Sequence, residues 1–248
     1  MGSFTAFDHY ALSEDLDAAA WDSYPLGYLE RGPRDDEFKQ RYLRVGDPDY
    51  QAFHHDLYRA CGHGRWWVVE QQPGPVNWAP WNPSPAKGAV RLWTYEAFAA
   101  GAEVVSYFRW RQAPFAQEQM HEALLLPTVE PNEAYHVVAQ ISQELTKLDA
   151  HVETERSAIA LVFDYESEWA WNIQPHGQDF SYLELVMTFY RGLRRAGLDR
   201  RRRNRHQRLN LLGQVFRARE AVEQRTLPLL MPTPESRLSS LDWFERPA

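Results

Sequence analysis

The stretch "WWVVEQQPGPVNWAPWNPSP", residues 66–85, decides how the rest of the chain is read. Four large apolar residues, Trp66 to Val69, run directly into a carboxylate at Glu70. A loop with five prolines and two further tryptophans follows. A short continuous apolar run bounded by turn formers predicts a strand buried on both sides. A carboxylate at the end of such a strand is costly without a partner or a task. The position admits two readings: a structural acid paired with an arginine such as Arg91 or Arg109, or a reactive group aimed into a cleft. Proline fixes φ and narrows the unfolded ensemble. An indole at Trp78, in a loop stiffened by Pro73, Pro75, Pro80, Pro83 and Pro85, therefore reads as a platform.

The neighbouring segments frame this strand. "GDPDYQAFHHDLYRACGHG" predicts a helix capped by Asp47, with Pro48 in its first turn and Gly62 at its end. "AVRLWTYEAFAAG" predicts a second helix closing near Gly101, and "EVVSYFRWR", rich in β-branched and aromatic residues, predicts a strand. Strand, loop, helix and strand in succession make a βαβ unit with a parallel pair. Upstream, "LDAAAWDSYP" is a short buried segment ending at Asp22, Ser23, Tyr24 and Pro25. Downstream, a helix is expected from Asn132 to about Ala150, with Tyr135, Val138, Ile141, Leu145 and Leu148 on its apolar face. "SAIALVFD", residues 157–164, reads as another buried parallel strand. A loop holding Trp169 and Trp171 follows, then a helix from about Ser181 to Ala196. Residues 151–156 are the expected domain boundary.

Composition excludes several classes. The chain has 248 residues, 44% hydrophobic and 25% charged, which fits a soluble globular protein. One cysteine, Cys61, rules out an internal disulfide. No window approaches a membrane span and no signal pattern opens the chain, so a cytoplasmic location is expected. His54, His55, Cys61 and His63 match no zinc spacing. No phosphate loop or nucleophile elbow is present, so no metal and no cofactor are expected. Residues 191–208 carry nine arginines against one acid, a local +8 that leaves −15 elsewhere in a chain of net charge −7.

Side chains at the C-terminal ends of strands converge on one face in a β/α barrel. Asp22 and Tyr24, then Glu70, then Phe108 and Trp110 leading to Glu118 and His121, end three segments in that manner. Glu118 and His121 share a face if their segment is helical. Carboxylates, a histidine, a tyrosine and indoles together suit a pyranose, whose hydroxyls need acceptors and whose C–H face needs an aromatic cover. The plainer alternatives are a turn former for Asp22, a solvated acid for Glu118 and a surface or capping role for His121.

Three segments carry a resemblance to a known family. Residues 66–124, "FDHYALSEDLDAAAWDSYPLGYL" and "VFDYESEWAWNIQPHG" are similar to segments of glycoside hydrolase family 42 β-galactosidases, from about residue 2 to Gly197. The resemblance implies an α/β chain: the last strands of a (β/α)8 TIM barrel over 1–150, then the start of a flavodoxin-like or amidotransferase-like α/β trimerisation domain over 157–197. It implies retaining hydrolysis of terminal β-D-galactosides, with Glu70 as nucleophile and Tyr24, Trp78, Phe108, Glu118 and His121 lining the galactose pocket. A homotrimer is the implied assembly. The family's acid/base glutamate, in an Asn-Glu motif on an earlier strand, has no match here, because Asn132-Glu133 opens a helix. The family's zinc-binding cysteine cluster is also missing. A chain starting inside the barrel exposes strand edges, so marginal stability is expected unless another polypeptide supplies the missing half. Residues 198–248 depart from the family and read as a basic tail, frame-shifted or disordered. Two rival readings stand beside the hydrolase: a galactoside-binding fragment without turnover, and, less favoured, nucleic-acid or anion binding through the arginines.

Overall fold

The computed structural model describes residues 5–148 and 159–197. In chain order these form α1 (His9–Ser13), β1 (Ala19–Ser23), α2 (Pro25–Arg31), α3 (Asp36–Tyr42), α4 (Pro48–Cys61), β2 (Trp66–Gln71), α5 (Ala89–Ala99), β3 (Val104–Tyr107), α6 (Glu133–Leu145), α7 (Tyr165–Ile173) and α8 (Tyr182–Arg195). The three strands make one parallel sheet in the order β1-β2-β3. Helical crossovers join them, as parallel pairing requires.

Local chemistry sets most boundaries. Asp47 accepts from the amides of Asp49 and Tyr50, Pro48 occupies the first turn of α4, and Gly62 closes it. These contacts satisfy amides that a helix start leaves without intrahelical partners. Gly101, at φ 93°, follows the end of α5. Its backbone lies in the left-handed region that glycine tolerates best. Asn132 caps α6 and Ser181 caps α8.

The core lies between the sheet and α4, α7 and α8. Phe53 and Leu57 of α4 pack there with Trp21, Trp66 and Val68 of the strands, Phe163, Tyr165 of α7 and Tyr190 of α8. Along β1 and β2 the helix-facing residues Ala19, Trp21, Trp66 and Val68 are buried. On the opposite face Trp67, Val69 and Val104 are 36%, 39% and 38% exposed. The expectation of a strand buried on both sides is corrected here. Among the described residues helices cover one face of the sheet only, and the other face has no layer against it.

Two further expectations change. Residues 159–164 carry no strand; residues 157 and 158 lie outside the described residues. A strand needs a neighbouring backbone to bond, and Phe163 instead inserts its ring between Phe53, Tyr165 and Tyr182. Asp164 then caps α7, so Trp169 and Trp171 lie on a helix rather than in a loop. The helix expected to reach Ala150 ends at Leu145, capped by Thr146, and Leu148 is exposed. The boundary at 151–156 and the tail at 198–248 lie outside the described residues. No helix among the described residues is long and apolar enough to cross a membrane.

Candidate active site

An irregularity in β2 sets the direction of Glu70. Trp66 and Val68 face the helices, so strict alternation would send Glu70 the same way. The pairing with β1 slips instead: Trp21 is opposite Val68, and Asp22 is opposite Glu70. The pairing with β3 slips over the same residues, with Val68 opposite Val105 and Gln71 opposite Tyr107. Val69 is therefore an extra residue in β2, a bulge that re-aims the side chain after it. Asp22 lies on the open side of β1, where Ala20 also points, and Glu70 joins it there.

Glu70 opens onto a cavity of about 620 Å³, whose lining includes Asp22, Tyr24, Tyr28, Trp78, Phe108, Glu118 and His121. The hydroxyl of Tyr24 donates to Glu70 Oε2 at 2.5 Å. Burial and this bond push the phenol far above its ordinary pKa, so it stays a donor. Buried Gln72 holds the strand end. It accepts from the Leu26 amide at 3.0 Å and donates to the Gly74 carbonyl at 2.8 Å. The start of α2 and the turn after Glu70 are thereby fastened together.

Aromatic rings build the walls. The Tyr24 ring meets Trp78 edge-on at 5.6 Å and His121 at 5.6 Å, and Phe108 meets His121 at 5.1 Å. Trp78 lies over Gly27, where a Cβ would come within 2.3 Å of the indole. Only glycine permits that approach. Arg31 stacks on the indole at 4.8 Å and bonds the Trp78 carbonyl at 2.9 Å. Asn77 donates to the Gln117 carbonyl at 2.7 Å, joining the proline-rich loop to the segment bearing Glu118.

His121 is 2% exposed, and neither of its ring nitrogens has a hydrogen-bond partner among the described residues. Burial lowers its pKa, opposed by Glu118 and aided by Arg109. It is therefore a neutral ring at pH 7, able to donate at one nitrogen and accept at the other. A buried polar group left without a partner is expensive, and a hydroxylated ligand in the cavity would supply one. Asp22 is pushed up to about 6, first by burial and then by the charge of Glu70.

The five expected pocket residues and Glu70 line one cavity. The arginine-paired reading of Glu70 finds no support, since Arg91 bonds Glu144 and Arg109 bonds Glu118. Glu118 and His121 do not share a helix. A turn joins them, with the His121 amide donating to the Glu118 carbonyl at 3.0 Å, in a segment interrupted by Pro114 and by Ala116 at φ 78°. Of the six tryptophans from Trp66 to Trp110, Trp66 and Trp93 are core, Trp78 is in the site, and Trp67, Trp81 and Trp110 are exposed. Tyr28 and Arg31 also line the site, and their spacing of four and seven from Tyr24 along α2 is the signal the sequence carries for them. No cluster of three metal-ligating side chains occurs among the described residues.

A family model described as β-galactosidase matches residues 1–148, and one described as the β-galactosidase trimerisation domain matches residues 157–211. The chain belongs to glycoside hydrolase family 42. The second match runs past Gly197, where the likeness read from the sequence stopped. A β-galactosidase of Thermus thermophilus is 59% identical over 199 residues, 80% of this chain and 31% of that protein. One from Halorubrum lacusprofundi is 45% identical over 201 residues, 80% of this chain and 28% of the relative. Among solved structures, the β-galactosidase of Marinomonas ef1 superposes with a TM-score of 0.74 at 52% identity, covering 77% of this chain and 30% of its own. This family 42 chain thus spans about three-tenths of the length of such relatives.

Proposed function

We propose that this chain carries the nucleophile and the galactose-binding wall of a retaining β-galactosidase that acts on terminal β-D-galactosides. The observation that carries the reading is the Tyr24–Glu70 bond at 2.5 Å inside a cavity walled by Trp78, Phe108 and His121. Tyr24 occupies one oxygen of the carboxylate and leaves the other free to attack. Glu70 forms a bond to the anomeric carbon, the glycosidic C–O bond breaks, and its electron pair leaves with the aglycone oxygen. Water then displaces Glu70 and completes retention. Trp78 covers the apolar face of the sugar, while Glu118 and His121 take hydroxyls.

An ordinary alkyl aglycone needs a proton as it leaves, from a second carboxyl about 5 Å from the nucleophile in retaining enzymes. No segment here matches the family's Asn-Glu motif, so in this reading that carboxyl is not supplied by this chain. In the same reading the three strands are part of a (β/α)8 barrel within residues 1–150. Residues 157–197 then begin a flavodoxin-like or amidotransferase-like domain, and the assembly is a cytoplasmic homotrimer.

The test uses a dinitrophenyl galactoside with fluorine replacing the hydroxyl beside the anomeric carbon. Dinitrophenolate leaves without a proton, so the nucleophile alone suffices to form a slowly hydrolysed ester. Intact-mass and peptide mapping should find the fluorosugar on Glu70, and Glu70→Gln should abolish it. Galactose binding with no label would favour a binding fragment without turnover and overturn the hydrolase reading.

A further inference from the structure

The bulge at Val69 has a second result: it places another carboxylate beside the first. Asp22 and Glu70 are register partners on adjacent parallel strands and line the same cavity. Neighbouring strands run about 4.8 Å apart, so the two side chains leave the sheet side by side. The Asp22 backbone is also fixed, because its carbonyl accepts from the Tyr28 hydroxyl at 3.2 Å. We propose that Asp22 is a positioning residue for the Glu70 nucleophile, its charge adjusting the field that an anomeric carbon meets in each half of the reaction. The proposal rests on the retaining-hydrolase reading above.

The electrostatics follow from the neighbours. Asp22 is faced by Glu70 from β2, by Tyr24 and Tyr28 from the start of α2, and by Tyr58 from α4; Tyr50, Arg31, Glu118 and His121 line the cavity with it. Burial holds Tyr24, Tyr28 and Tyr58 protonated far above neutrality. Asp22, pushed up to about 6 by burial and then by Glu70, is the carboxyl whose charge changes between pH 5 and 7. When Glu70 becomes an ester its charge is gone, and one of the two causes holding Asp22 protonated goes with it. Asp22 then ionises more readily. It presents a carboxylate to the positive charge that develops on the sugar as water displaces Glu70.

The size of the effect is bounded. Burial is the larger cause of the rise from 3.8 to about 6, so the coupling to Glu70 is smaller than that rise. One unit of coupling corresponds to about tenfold. Labelling of the whole chain by the fluorinated dinitrophenyl galactoside should therefore accelerate on the order of tenfold between pH 5 and 7. Asp22→Asn keeps the shape and removes the charge. It should label at pH 7 at the slow rate seen for the unsubstituted chain at pH 5, with that limb of the pH profile missing. Asp22→Glu should restore the limb with a displaced midpoint. Unchanged circular dichroism and galactose binding at pH 5 would separate this from misfolding. The inference is overturned if Asp22→Asn keeps the limb or labels at the unsubstituted rate at pH 7. If the unsubstituted chain takes no label at Glu70, the hydrolase reading falls and this inference with it.

Discussion

Acid should destabilise this fold already between pH 7 and 5, because histidines are buried in its core without charge. His9, His54 and His55 are each 6% exposed or less. They pack against Trp21, Tyr58, Trp66 and Tyr165. Burial lowers His9 to about 4 and His55 to about 3, and it lowers His54 in the same direction. A histidine whose folded pKa lies below its unfolded 6.5 takes up its proton only on unfolding. Stability is therefore full above 6.5 and lost as the pH falls towards the folded value. Between pH 7 and 5, His9 and His55 each remove about 2 kcal/mol, and His54 and His121 act with them. Asp22 acts against them. An acid raised to about 6 gains stability as the pH falls, here by about 1 kcal/mol. Asp49 and Glu122, also raised by burial, join it. His9, His55 and Asp22 together leave a net loss of about 3 kcal/mol, large against a typical domain stability of about 5–15 kcal/mol. Urea melts followed by tryptophan fluorescence at pH 7, 6 and 5 would measure this. His55→Phe keeps the ring and removes the proton site, so it should flatten the slope by about one proton's worth. A stability that holds or rises from pH 7 to 5, or a slope unaffected by His55→Phe, would refute the assignment.

Two further outcomes follow from single contacts. Tyr24→Phe removes a hydrogen bond to a charged group, worth about 1.5–3 kcal/mol. Labelling of Glu70 should slow by about ten- to a hundredfold, and the urea midpoint should fall with the lost bond. Asp47→Ala removes the cap of α4 and the carboxylate facing Arg34 and buried Arg191. It should destabilise by about 2 kcal/mol. Asp47→Asn, which keeps the cap, should cost less in the same melt.

Elements whose ends are set by nearest neighbours in the chain were legible. Asp47 before Pro48 fixed α4, Ser181 fixed α8, and glycines marked where α4 and α5 stop. Elements that depend on a distant partner were not. The alternating run to Phe163 has the composition of a strand, yet the side chains around it come from helices, and no strand forms over 159–164. The next segment had no glycine or proline to break it, and Asp164 turned it into α7. Trp66–Val69 read as covered on both faces because periodicity reports composition, whereas burial depends on which layers are present.

The site was legible as a set of residues and illegible as a direction. Glu70, Tyr24, Trp78, Phe108, Glu118 and His121 were chosen by chemical type and by resemblance, and they line one cavity. No periodicity could say which way Glu70 points, since counting by two from Trp66 aims it at the helices. The extra residue at Val69 reverses that parity, and a bulge is visible only in the pairing of three strands at once. The same shift lets Asp22 matter. Asp22 follows the ordinary alternation of β1 and would face the open side in any register. It becomes a neighbour of the nucleophile only because the adjacent strand is one residue longer than regular pairing allows. A carboxylate that looks like a turn former along the chain thus acquires an electrostatic role from the strand beside it. Only a charge-removing substitution with a pH profile can separate that role from simple packing.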